Sequence, residues 1–109
     1  MRIPSYFDKY ARNQWQKYAP VLRVCSDITD QDWAWLECYC TNYAIYRQSI
    51  EDINENGLFL MMNANQTRGQ NPAFKVLTEA QKLMIKFGAL LRDKLPIEAS
   101  RDPLDDLME

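Results

Sequence analysis

The stretch from Thr29 to Asn56 most limits what this chain can become, because nothing in it interrupts a helix and both its ends carry boundary signals. In "ITDQDWAW", Thr29 is placed to cap, Asp32 occupies the third helical position of a capping box, and Asp30 adds negative charge at the positive N-terminal end. In "NENG", Gly57 suits the left-handed position just past a helix end. A continuous helix over this span rises about 40 Å at roughly 1.5 Å per residue. Everything else in a chain of 109 residues has to pack around that rod.

The rod carries two apolar stripes: Trp33, Leu36, Cys40, Tyr43 and Ile50 on one, and Trp35, Tyr39, Tyr46 and Ile53 on the other. One helical neighbour cannot cover both. Two arrangements stay open. Either the first and last helices of the same chain cover the two stripes, or Trp35, Tyr39, Tyr46 and Ile53 form a homo-oligomer interface. A chain this short buries a marginal core as a monomer, which makes assembly a natural supplement.

The flanking segments also read as helical. Phe7, Ala11, Trp15, Tyr18 and Leu22 recur at spacings of three and four, with Lys9, Arg12, Asn13 and Lys17 mostly off that face. Pro20 lacks an amide donor and is expected to end or kink this helix near Tyr18, with a short second piece through Val24. "GLFLMM" has no helical punctuation, and the polar stretch after it suits a turn, so a small β-hairpin fits between the long helices. Asn71 then caps and Pro72 opens a second long helix, in which Phe74, Leu77, Ala80, Met84, Phe87, Leu91 and Leu95 keep helical spacing up to Pro96. The expected architecture is mainly α: two long antiparallel helices, a shorter N-terminal helical segment and an acidic flexible C-terminal tail. Residues 1–95 form one helical domain, comprising a basic segment over 1–24 and a helical hairpin over 29–95, and residues 96–109 form the tail.

Charge is segregated along the chain. Residues 1–24 hold five basic side chains and one acidic, residues 25–57 one basic and seven acidic, residues 58–95 six basic and two acidic, and residues 96–109 one basic and five acidic. The net charge of -2 gives no whole-protein attraction for nucleic acid, so any DNA contact has to be a local patch. Lys9, Arg12, Lys17 and Arg23, with Asn13, Gln14 and Gln16, suit phosphate and base-edge contact, and Lys75, Lys82 and Lys86 form a second candidate patch. An ordinary solvated helix face has the same composition, and the residues alone do not separate the two. Leu104, Leu107 and Met108 stand at helical spacing among the tail's acids, a pattern that folds on a partner or simply frays.

Catalytic chemistry is poorly provided. With no histidine, the commonest general base and metal ligand is missing, and no Ser or Cys sits in a recognisable nucleophile context. There is no glycine-rich phosphate loop. Cys25, Cys38 and Cys40 are odd in number and lack His partners, which points to reduced thiols and to neither a disulfide framework nor a metal site. No run is long enough to span a bilayer and no secretory h-region opens the chain, so the expectation is a soluble intracellular protein without cofactor or metal.

The order of segments resembles the phage terminase small subunits: "ARNQWQKYAPVL", then "ITDQDWAWLECYCTNYAIYRQSIEDINENG", a polar loop, then "NPAFKVLTEAQKLMIKFGALL". The chain departs from that pattern after Phe87 and Gly88, where it continues helically and turns acidic. The resemblance implies a non-catalytic DNA-packaging component in the host bacterial cytoplasm. Its partners would be double-stranded viral DNA, the large terminase subunit that holds the ATPase and nuclease, and copies of itself in an oligomer, commonly a ring. Under that reading the basic first helix meets DNA and the acidic tail meets the large subunit. Two rivals share much of the pattern: a phage assembly adaptor that binds only protein, and a small helical DNA-binding regulator. Asp27, Asp30 and Asp32 make the segment after Pro20 a poor major-groove reader, which weighs against the regulator.

Overall fold

The computed structural model describes residues 2–61 and 68–97. The chain runs α1 (Lys9–Arg23), α2 (Asp30–Asn56), β1 (Phe59–Met61), β2 (Arg68–Gln70) and α3 (Pro72–Leu91). The fold is mainly helical, as the spacing indicates. α2 and α3 form an antiparallel hairpin, α1 packs on α2, and the two short strands link the long helices. The strands pair antiparallel, with Phe59 opposite Gln70 and Met61 opposite Arg68.

The boundaries of α2 follow from local chemistry. Thr29 accepts from the Asp32 amide, and the Asp32 carboxylate accepts from the Thr29 amide at 2.9 Å, which closes the capping box. At the far end Gly57 takes φ 85°, a left-handed value that costs any other residue more, and donates its amide to Ile53. Asn71 caps α3 by accepting from the Ala73 amide at 3.0 Å, with Pro72 in the first turn.

Pro20 does not end α1: the helix runs through it to Arg23. Pro20 and Gln16 both lie on the exposed side, where water can take the carbonyl that loses its amide partner. On the opposite side Trp15, Tyr18, Ala19 and Leu22 are buried on both sides of the proline and hold the helix to its neighbours. A second difference lies at the end of α3, which stops at Leu91 and not at Leu95. There the amides of Lys94 and Leu95 both donate to the Leu91 carbonyl, so the chain curls inward. Leu95 and Ile97 enter the core, Ile97 at 6% exposure although it follows Pro96.

The two stripes of α2 are largely covered from within. Aromatic contacts join α1 to α2, with Trp15 and Trp33 ring centroids 5.5 Å apart and Tyr18 and Tyr39 6.0 Å apart. Tyr39 at 8% and Tyr46 at 1% exposure belong to the chain's own core, while Trp35 and Ile53 are half-buried against it. Two helices approaching the rod from different sides cover what one could not.

Each end of the α2–α3 hairpin is tied by a polar side chain. At one end Lys94 reaches Asp32 at 2.6 Å, the Asp27 carbonyl at 3.0 Å and the Asp27 carboxylate at 3.8 Å. At the other, Asn71 donates its side-chain amide to Asp52 and to the Gly57 carbonyl, both at 2.9 Å.

Candidate nucleic-acid interface

The cationic residues of the first segment fall on one exposed face because α1 is a single helix. Lys9, Arg12, Asn13 and Gln16 follow one another at helical spacing and, with Tyr10, line a shallow surface groove of about 440 Å³. Lys17 is exposed on the same helix. Among the described residues Lys9, Arg12 and Lys17 make no ion pair with a carboxylate. The helix is anchored beneath them: Asp8 caps it through the Ala11 amide at 2.9 Å, and Tyr6 bonds Glu37 at 2.8 Å. Arg23 stands apart in the last turn, where a cation also suits the negative end of the helix.

The second candidate patch is differently built. Lys75, Lys82 and Lys86 project from α3, and Lys82 pairs with Glu79 at 3.7 Å; the ring contact of Lys86 with Phe87 at 5.9 Å has counterparts in α1, where Lys9 lies 5.0 Å from the Tyr10 ring centre and Lys17 5.1 Å from that of Tyr18. Exposed Val76, Leu83 and Leu90 recur along the same helix at seven-residue spacing. Leu104, Leu107 and Met108 lie outside the described residues.

Arg47 is a residue that the helical patterning passes over. It is the one basic side chain in the acidic block from 25 to 57, and its guanidinium carbon sits 5.4 Å from the Tyr10 ring centre. The signal available in the sequence was that isolation. Its neighbour Tyr10 lies on another helix and could not be inferred from spacing.

Burial, followed by the Glu37 charge, pushes the Cys40 thiol up to about 12 and raises Cys38, which makes both poor nucleophiles. Asp32 is occupied by its cap and by Lys94. Among the described residues no three acidic, histidine or cysteine side chains gather to hold a metal ion, and no helix is long and apolar enough to cross a membrane.

Comparison with curated proteins and with solved structures found no match. A family model described as phage terminase, small subunit, matches residues 11–92, from the first turn of α1 to just past the end of α3. With most of the chain covered, the protein belongs to the phage terminase small-subunit family and has a role in packaging phage DNA.

Proposed function

We propose that the chain is the non-catalytic DNA-recognition component of a terminase, acting in the cytoplasm of the bacterial host. α1 holds the viral duplex through phosphate contacts, and an assembly of several copies presents that DNA to the large subunit, which supplies ATPase and nuclease. The observation that carries this reading is the row of Lys9, Arg12 and Lys17 without paired carboxylates. Cations left unpaired on one face are available to replace the counterions of a duplex, whereas Lys82 is already engaged by Glu79.

Self-association is proposed through α3 and not through Tyr39 and Tyr46, which are buried inside the chain. Val76, Leu83 and Leu90 are exposed beside Lys75, Lys82 and Lys86, and α2 exposes Glu51 and Glu55. A basic, apolar edge on one copy complements an acidic edge on the next. Such a contact is head to tail and closes into a ring when the rotation permits. The acidic tail is the proposed contact for the large subunit.

The test is a DNA titration at low and moderate salt on protein whose mass is measured by light scattering. The expected result is a mass of several subunits and binding that weakens steeply with salt. Replacing Lys9, Arg12 and Lys17 together with alanine should lower the slope of log affinity against log salt by about 2.7, since each phosphate contact contributes roughly 0.9. A wild-type protein that binds no duplex at low salt would leave the protein-only adaptor as the better account.

A further inference from the structure

We infer that Arg47 and Lys9, gathered about the Tyr10 ring, form a seat for one phosphate of duplex DNA that spans α1 and α2. The inference rests on the DNA reading above and extends the contact surface to a second helix.

Two cations share one aromatic ring. The Lys9 ammonium lies 5.0 Å from the Tyr10 ring centre and the Arg47 guanidinium carbon lies 5.4 Å from it. Tyr10 also lines the groove formed by Lys9, Arg12, Asn13 and Gln16, so Arg47 adds its charge at the edge of a surface that is already positive. Two positive charges held to one ring raise the local potential there, which favours an anion.

A purely structural arginine would be expected to take a partner on its own helix. Glu51 stands four residues beyond Arg47, within reach along the helix surface, yet no ion pair joins them. The guanidinium is turned to Tyr10 instead, and its Nε–H is covered without any hydrogen-bond partner among the described residues. Asp8 is the acidic side chain beside Lys9 in sequence, and its carboxylate is taken up by the Ala11 amide on one oxygen and by the Gln48 side chain on the other. Both donors are neutral, so Asp8 keeps its negative charge beside Lys9, but among the described residues no ion pair joins any carboxylate to Arg47, whose guanidinium is held by the ring and by packing. With Nε covered, the two Nη groups are the edge of the planar guanidinium that matches two oxygens of a phosphodiester, and Lys9, held to the same ring, adds a point charge. Tyr10 is the positioning residue: its ring fixes the guanidinium through a cation–π contact.

The experiment uses the full chain and a short mixed-sequence DNA duplex, with affinity measured over a range of salt concentrations and folding checked by thermal melting. Arg47→Met keeps the apolar stem and removes the charge. It is expected to weaken binding about tenfold at moderate salt, the lower end for a hydrogen bond to a charged group, and to lower the salt slope by about 0.9. Arg47→Lys should keep the slope while binding more weakly, because an ammonium cannot fork. Tyr10→Leu should likewise keep the slope and lose affinity, which a residue serving only the core would not do selectively. If Arg47→Met does not fold, Arg47→Gln is read on the same slope. A wild-type protein that binds DNA with a salt slope unchanged by loss of the Arg47 charge overturns this inference and leaves the α1 reading intact. A wild-type protein that binds no DNA overturns both.

Discussion

The two ends of the α2–α3 hairpin solve the same problem with different chemistry. Where α2 begins, an ammonium from the chain beyond α3 enters a carboxylate that is already capping the helix, and Asp32 is nearly inaccessible. Where α2 ends, a neutral amide at 3% exposure does three jobs, accepting from Ala73 and donating to Asp52 and Gly57. Both ends satisfy the orphan groups of a helix terminus with a side chain that also ties the two helices together. The difference is charge. One tie depends on protonation and the other depends mainly on shape.

Three changes test that difference. Asp32→Ala has the largest expected effect, on the order of 2 kcal/mol of unfolding free energy, the upper end for loss of a helix cap, because the Lys94 ammonium loses its carboxylate as well. The fall in Tm, roughly 4–8 °C per kcal/mol in a domain of this size, is the readout. Asn71→Ala should cost somewhat less, about 1.5 kcal/mol, because a cap and a clamp are lost without stranding a charge. A loss at Asn71 larger than that at Asp32 would show that the neutral tie is the stronger one.

The smallest effect is in pH dependence. Burial opposes ionisation of Asp32, but hydrogen bonds from Lys94 and Thr29 outweigh it and hold the carboxyl below its ordinary range. Its contribution is therefore complete above the unfolded value, near about pH 4, and is lost as pH falls through the lower folded value. Urea unfolding should show a gap between wild type and Asp32→Asn that is flat near neutrality and narrows on acidification. The Asn71→Ala gap should narrow less over the same range. Asn71 and Asn56 do hold Asp52 below its ordinary range, so some narrowing is expected, but Asp52 stands at the surface.

What the sequence made legible was local. Thr29 and Asp32 are three residues apart, Asn71 and Pro72 are adjacent, and Gly57 acts through its own φ, so each could be read without knowing the fold. Their tertiary duties were hidden, because Lys94 meets Asp32 across 62 positions and Asp52 meets Asn71 across 19. The apolar stripes showed that α2 needs two neighbours but could not identify them. Tyr39 and Tyr46 became core because α1 and α3 of the same chain arrive from both sides. Pro20 misled because breaking a helix there assumes that the freed carbonyl and the lost bond go uncompensated, and burial of Trp15 and Leu22 on either side compensates. The α1 patch was readable from helical spacing, whereas the absence of carboxylate partners and the approach of Arg47 to Tyr10 required the packed structure.

The double duty of Asp32 also bears on the order of events in folding. Its bonds to Thr29 can form as soon as the first turn of α2 does, since they close a loop of a few residues. The bond to Lys94 waits until α3 has folded back along α2, across 62 positions. One carboxylate is thus engaged at both the opening and the completion of the fold, so its early partners can organise the start of the rod before its late partner fastens the returning helix across it.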